Sequence, residues 1–302
     1  MIWGELAALG TAVCWSLTAM FFSYSGRLIG SDVVNRSRLV FAFLFLSLTH
    51  LLLEGSLFPL HAEPFRWGWL ALSSVLGLVL GDTFLFQAYV LIGPRLAMLL
   101  MATVPIYSTL FGWLLFGETV SGMELAGIAL AVGGIGWVVT EKRSGFTVVE
   151  NKQYKKGLLM GLLGALGQVA NLVTAKYGLV GDFSTLSATL MRISVAVLTL
   201  WTIALLRGQV GHSLRQWRNK PAFRAMIGGA IAGPFLGIWL SLLAISMARL
   251  GIAATLMALP PVLLIPLEYV VYKRRVSRRG MVGTAVAMLG VALLFGMTSG
   301  SP

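Results

Sequence analysis

Long apolar runs alternate with short polar loops along the whole chain. A membrane-spanning helix needs roughly 20 predominantly apolar residues, and the sequence contains ten runs of about that length. The predicted spans cover residues 2–24, 33–53, 67–91, 96–116, 122–140, 157–178, 184–206, 223–247, 252–272 and 280–297. No run of residues is left over for a soluble domain. The pattern therefore predicts an all-α integral membrane protein with ten transmembrane helices.

Composition and charge agree with a lipid environment. Hydrophobic residues make up 57% of the chain and charged residues 11%, whereas soluble domains contain about 25% charged residues. The net charge of +12 comes from short basic clusters between the apolar runs, which is typical of membrane topology and not of a nucleic-acid-binding surface. The loops after the odd-numbered spans hold 18 Lys and Arg residues and the other side holds three. This bias predicts a multi-pass protein of the plasma (cell inner) membrane with both termini outside.

Cofactor chemistry finds little support in the sequence. Cys14 is the single cysteine, and the three histidines, His50, His61 and His212, are too scattered to form a metal site. A phosphate-binding loop of the GxxxxGK[ST] type is missing, which argues against ATP-driven transport. The N-terminus lacks the basic start of a signal peptide, so we expect it to form the first helix.

An internal repeat divides the chain. A shift of 156 residues places Ala97–Pro105 on Ala253–Pro261 and Val120-Ser121 on Val276-Ser277. We predict a first five-helix repeat over 1–141, a cytoplasmic linker over 142–156, and a second repeat over 157–302. Five is odd, so the second repeat enters the membrane inverted, an arrangement typical of secondary transporters.

Two prolines coincide in the repeat. Pro105 and Pro261 lie near the middle of spans 4 and 9. Matched helix interruptions indicate a substrate site near the midplane between the two halves. The alternative is that both prolines merely kink packed helices.

The chain resembles the drug/metabolite transporter superfamily, in its ten-helix EamA branch. The resemblance rests on Trp15-Ser16, the Arg38-led start of span 2, the Ala97–Pro105 run and the turn "FGETVSGMELAGIALAVGGIGW". It implies a central cavity lined by helices 1, 3, 4, 6, 8 and 9, and export or exchange of metabolites by alternating access. The second half departs from the pattern, because Lys273-Arg274 stands where the first half has Gly117-Glu118.

Two acidic residues fall at membrane depth, where ionisable groups are functional hypotheses by default. Asp82 lies near the centre of span 3, and its counterpart in the second repeat is Ile238. Asp82 is a candidate for substrate binding, proton coupling or a structural contact between helices. Glu268 lies seven residues beyond Pro261, nearer the cytoplasmic end. It is a candidate for gating or for a pairing with the basic cluster that follows, and the alternative is substrate or proton binding.

Polar and aromatic residues in other spans complete the predicted substrate site. Gln168 and Asn171 are three residues apart and share a helix face. The full set of predicted binding residues is Trp15, Ser16, Asp82, Gln87, Pro105, Tyr107, Ser108, Gln168, Asn171, Trp239, Ser241 and Pro261.

Two further patterns are set by the repeat or by spacing. Arg38 and Arg192 match across the repeat near the starts of spans 2 and 7, where we expect them to snorkel to lipid headgroups.

Five glycines at four-residue spacings predict helix faces that approach their neighbours closely: Gly77, Gly81, Gly229, Gly233 and Gly237.

The leading hypothesis is a secondary transporter of a small, amino-acid-like metabolite, with proton coupling through Asp82 as an option. A cationic drug exporter and a lipid-translocating protein are the alternatives, and an enzyme is not expected. The predicted partners are a small-molecule solute, the lipid bilayer and, in a coupled mechanism, protons. The oligomeric state, monomer or homodimer, is left open.

Overall fold

The protein is built from helices along its whole described length. The computed structural model describes residues 2–104, 106–107, 122–139, 148–181, 183–247, 256–273 and 277–296. The helices are α1 (Ile2–Ile29), α2 (Ser31–Glu54), α3 (Pro64–Ser74), α4 (Asp82–Ile92), α5 (Pro94–Met101), α6 (Gly122–Val139), α7 (Val148–Gly178), α8 (Thr185–Leu206), α9 (Val210–Gln216), α10 (Lys220–Ala230), α11 (Ile238–Met247), α12 (Pro260–Tyr272) and α13 (Arg278–Gly296). Two π-helical segments, π1 (Val75–Gly81) and π2 (Ile231–Gly237), join α3 to α4 and α10 to α11.

Within the described residues, six helical segments are long and apolar enough to cross a membrane. They cover Trp3–Ile29, Ser31–Glu54, Pro64–Ile92, Asn151–Ala175, Thr185–Leu206 and Lys220–Ser241. Two shorter apolar helices cover Leu125–Val138 and Pro260–Val271. The prediction of spans is confirmed for the six long segments, whereas the total of ten stays a prediction.

The outer surface is apolar. Leu44, Leu48 and Leu52 follow one another at helical spacing along α2, and all three are exposed. Contiguous exposed apolar surface of this kind is unfavourable in water, and in a spanning helix it is the face that contacts lipid.

The two repeats show the same irregularities at equivalent positions. The shift of 156 residues that aligns the sequences also carries π1 onto π2. It carries the turn at residues 102–103, after α5, onto residues 258–259, just before α12. Ala258 packs against the buried cluster that contains Ala102 and Ile106, so the two interruptions lie close together. The predicted helix breaks are thus present in both halves, although Pro105 itself lies outside the described residues.

The glycines permit a symmetric close contact between α6 and α13. A Cβ added to Gly134 would lie 2.4 Å from the Ala287 nitrogen, and one added to Gly290 would lie 2.3 Å from the Ala131 nitrogen. Gly283 meets Val138 in the same way. Residue numbers rise along one helix as they fall along the other, so the two equivalent helices pack antiparallel. This is the relation that an inverted repeat requires.

The repeats interlock through contacts between their helices. Helix α1 packs against α10, π2 and α11, while α7 packs against α3, π1 and α4. The predicted glycine contacts belong to these interfaces, since a Cβ on Gly77 would meet Asn171, one on Gly229 would meet Phe22, and one on Gly233 would meet Thr18. The expectation of close approach at these glycines is confirmed.

Two predicted loops contain more helix than expected. Helix α7 begins at Val148, so residues 148–156 of the predicted linker are helical. The long loop after α8 contains the short helix α9, and Asn219 caps α10 by accepting a hydrogen bond from the Ala222 amide at 3.3 Å. Both of these helical extensions are rich in polar residues, whereas the pattern of apolar runs indicates only the apolar part of a helix.

The contact between α6 and α13 gives a first prediction. Replacement of Gly134 or Gly290 by alanine forces the two backbones apart, and we expect a loss of about 1–3 kcal/mol of stability. The neighbouring Gly133 has no atom within 4 Å of its would-be Cβ, so Gly133→Ala is the matched control and should be neutral or slightly stabilising. Thermal unfolding of the purified protein checks this; equal unfolding temperatures for Gly134→Ala and Gly133→Ala would contradict the packing.

Candidate functional site

Asp82 lies where the first π-helical segment ends. It is the first residue of α4 and is 6% exposed. Its Oδ2 forms an ion pair with Nη2 of Arg38 on α2. A carboxylate removed from water is costly unless it is paired and hydrogen-bonded, and at this position both conditions are met.

Arg38 is held on several sides. It is 3% exposed, and its Nε and Nη2 donate to Asn35 Oδ1 at 3.1 and 3.0 Å. Its guanidinium carbon lies 4.6 Å from the ring centroid of Phe86, a cation–π contact. Asn35 in turn donates to Thr83 Oγ1 at 2.9 Å. The charged pair is therefore fixed from α2 and α4 together.

The second repeat supplies the remaining partners. Gln168 on α7 donates to Asp82 Oδ1 at 3.0 Å, and Asn171 donates to Gln168 Oε1 at 3.0 Å. Arg192 on α8 donates through Nη2 to Asn171 Oδ1 at 2.6 Å, and Ser73 on α3 donates to the same oxygen at 2.6 Å. We call this set the central polar network: Asn35, Arg38, Ser73, Asp82, Thr83, Gln168, Asn171 and Arg192. It joins helices of both repeats.

The charges of the central polar network do not cancel. It contains two arginines and one aspartate, and Arg192 is 6% exposed. Within the described part of the chain, Nε of Arg192 has no hydrogen-bond partner. A buried cation that is only partly satisfied is a place where a carboxylate or another anionic group would bind favourably.

Three predicted site residues meet in this network. Asp82, Gln168 and Asn171 are linked directly by hydrogen bonds, and the shared face predicted for Gln168 and Asn171 is present. Asp82 has no acidic equivalent in the second repeat, where Ile238 begins α11.

Other predicted residues lie elsewhere. The buried Ser16 donates to Ala12 O at 2.7 Å and Ser241 donates to Ile238 O at 2.7 Å, both within their own helices. Trp15 lies against Gly237 at the end of π2. Trp239 packs near Phe235, with 6.4 Å between ring centroids. In the part of the chain that the structure describes, none of these contacts joins the central polar network.

Three further predicted site residues lie either at the helix interruptions or at one end of the helix bundle. Pro261 is buried in the first turn of α12, and Tyr107 is half-buried just after the break that follows α5. Gln87 accepts a hydrogen bond from Ser31 Oγ at 2.6 Å and lines a cavity at the start of α2.

Three predicted groups lie outside the described residues: Pro105, Ser108 and the side chain of Glu268.

The expectation for Arg38 and Arg192 is wrong. Both were predicted to snorkel to headgroups, yet both are buried and hydrogen-bonded within the central polar network. The error has a physical source: a long basic side chain near a span end snorkels only if no buried partner is in reach, and Asp82 lies 44 residues away in sequence. The match of Arg38 and Arg192 across the repeat indicates a shared internal role, because anchoring to headgroups does not require two equivalent positions.

Comparisons with known proteins agree with this architecture. A comparison with curated proteins finds no match. A solved structure described as "Crystal structure of protein" is similar to the chain with a TM-score of 0.68 and 20% identity, over 99% of each chain; at this identity the likeness concerns the fold alone. The model of the EamA-like transporter family matches residues 2–140 and again residues 155–296, once for each repeat. The chain therefore belongs to the EamA-like transporter family, whose members are membrane transporters.

Proposed function

We propose that the protein is a secondary-active transporter that exports or exchanges a small amino-acid-like metabolite by alternating access. The observation that carries this proposal is the central polar network, which joins the two repeats through Gln168 and Asp82. Ionisable residues inside a membrane protein are expensive and mark solute or ion pathways. In a chain of a transporter family, the site between inverted repeats is where a solute would bind.

The charge of the network favours a solute with a carboxylate. Arg192 can offer its unpartnered Nε to such a group, and Gln168 and Asn171 offer amides beside it. An amino-acid-like metabolite has such a carboxylate and would place it near Arg192.

A cationic drug is the second candidate, with Asp82 as its counter-charge. Against it, Asp82 is already paired with Arg38 and accepts a hydrogen bond from Gln168. A cation would have to displace one of these partners and leave Arg38 buried without its carboxylate, at a cost of several kcal/mol.

Proton coupling through Asp82 forms part of the proposal. Protonation would neutralise the carboxyl group and remove its attraction to Arg38, so the ion pair would exist only while Asp82 is deprotonated. The hydrogen bond between Asp82 and Gln168 lies between repeats, and the loss of the negative charge would weaken this link between α4 and α7. This gives a route from a proton to a movement of helices.

The alternating movement itself is also proposed. The interruptions at residues 102–103 and 258–259 share a packed cluster, and hinges of broken helices are typical of transporters. The basic loops favour an inner-membrane protein with both termini outside, and a monomer or a homodimer is compatible with the proposal.

A ligand screen tests the solute class. Purified full-length protein is heated in the presence of amino acids, nucleotides, sugars or cationic drugs. We expect solutes with a carboxylate to raise the unfolding temperature, since a ligand at a hundredfold excess over its Kd stabilises by about 2.7 kcal/mol. Stabilisation by cationic drugs alone would favour the second candidate.

Transport by an Asp82→Asn variant tests coupling. In proteoliposomes containing the solute found by the screen, we expect this variant to lose accumulation driven by a pH gradient and to keep exchange without a gradient. Glu63→Gln, at an exposed carboxylate paired with Arg66, should keep both activities. Undiminished gradient-driven accumulation by Asp82→Asn would exclude Asp82 as the coupling residue.

A double-mutant cycle tests whether the charged pair acts as a unit. Arg38→Gln or Asp82→Asn alone leaves one charge unpaired, and we expect each to cost about 3–5 kcal/mol of stability. The double variant should cost less than the sum of the two by up to about 3 kcal/mol, because neither charge remains. Equilibrium unfolding measures all three variants, and strictly additive losses would show that the pair is not energetically coupled.

A further inference from the structure

A polar cavity lies at the other end of α2 from its exposed leucines. Its volume is about 450 Å³, which falls in the range of small-molecule sites. It is open to one side and is lined by the end of α1, the start of α2, α4 and the loop that leads into α9, so it draws on both repeats. The lining residues are Gly26, Ile29, Gly30, Ser31, Asp32, Val33, Arg36, Gln87, Val90, Gln209 and His212.

The N-terminus of α2 opens into this cavity. Gly30, which precedes the helix, has φ of 89° and provides no side-chain cap. Ser31, the first residue of the helix, donates its hydroxyl to Gln87. The first amides of a helix lack partners within the helix and carry a partial positive charge, so the residues 31–33 that line the cavity form one side of a potential anion site.

Arg36 provides independent evidence for an anion site in this cavity. It is 6% exposed and lines the same cavity. Its Nη1 donates to Gln209 Oε1 at 3.0 Å, and its Nε has no hydrogen-bond partner in the described part of the chain. Asp32 lies one helical turn earlier and attracts Arg36 electrostatically, but it is exposed and forms no direct ion pair with it. A buried guanidinium that makes no direct contact with a carboxylate is a favourable partner for an anion from outside the chain.

The cavity is separate from the central polar network. Arg36 and Arg38 are two residues apart on α2, and positions two apart in a helix point in nearly opposite directions. Arg38 faces Asp82, whereas Arg36 faces Gln209. Gln87 and the exposed His212 add further polar groups to the lining. The site is thus built for a ligand other than the solute of the central network.

We propose that this cavity binds an oxyanion of the phosphate type, held by Arg36 and the first amides of α2. The cavity lies on the side that carries most of the basic residues, beside Arg207 and the basic end of α9. Both a phospholipid headgroup and a free phosphate-containing solute have the required chemistry. The inference concerns binding at this cavity and does not depend on the transport proposed for the central network.

Reconstitution of the full chain in nanodiscs separates the two sources of phosphate. Unfolding is followed by the fluorescence of the nine tryptophans. In one arm, discs of phosphatidylcholine are titrated with inorganic phosphate, with chloride at equal ionic strength as reference. In the other arm, discs contain increasing fractions of phosphatidylglycerol without added phosphate. A rise in unfolding temperature in the first arm identifies a free anion, and a rise in the second identifies a lipid headgroup.

Three variants tie the response to the cavity. Arg36→Gln removes the buried charge, and the apparent Kd should rise about tenfold or more, which is the value of a lost charged hydrogen bond. His212→Asp places a negative charge at an exposed lining position, so it should fold normally and weaken binding as well. Arg215→Gln removes an exposed charge from α9 outside the cavity and should respond like the wild type.

The proposal fails if neither arm raises the unfolding temperature of the wild type. It also fails if Arg36→Gln and His212→Asp respond to phosphate or phosphatidylglycerol as strongly as Arg215→Gln does. Should Arg36→Gln not fold, the comparison of His212→Asp with Arg215→Gln decides the matter alone.

Discussion

The ion pair between Arg38 and Asp82 is the constraint on which the interior depends. A carboxylate inside a membrane protein has to be compensated locally, since lipid offers no hydrogen bonds. Asp82 is compensated from two directions, by Arg38 on α2 and by Gln168 on α7. These partners in turn fix Asn35 and Asn171. Helices from both repeats are thereby held in register around one carboxylate.

Symmetry of the backbone and asymmetry of the site come from the same duplication. The repeats preserve both π-helical segments and both arginines, Arg38 and Arg192. The aspartate is present once, because its equivalent is Ile238. Among the described residues, one arginine therefore has a carboxylate partner, whereas the other has an amide oxygen and an unpartnered Nε. One charged substitution on a symmetric scaffold would give the proposed site a preferred orientation for its solute.

The sequence predicted the helical architecture better than the candidate site, and the reason is physical. Apolar runs, the 156-residue repeat and the matched prolines are local or periodic features, so α6 and α13 could be anticipated as an equivalent pair. The partner of Arg38 depends on how α2 packs on α4, which no local pattern encodes. Asp82, Gln168 and Asn171 were identified because polar residues within an apolar run stand out. Arg38 was singled out but assigned to lipid headgroups, and Arg36 was not singled out, because both lie near a span end where basic residues are common.

Helix α2 connects the two polar regions of the molecule. Arg36 and Arg38 project from it in nearly opposite directions, one toward Gln209 and the cavity, the other toward Asp82. The same helix packs against α8 and α10 of the second repeat. Because a helix moves as a nearly rigid rod, a displacement of α2 that loosens Arg38 from Asp82 would also shift Arg36 and the first amides of the helix. The proposed anion is held by groups of α2 and would move with that helix, so the hydrogen bond from Arg36 to Gln209 is the contact at the cavity that opposes such a displacement.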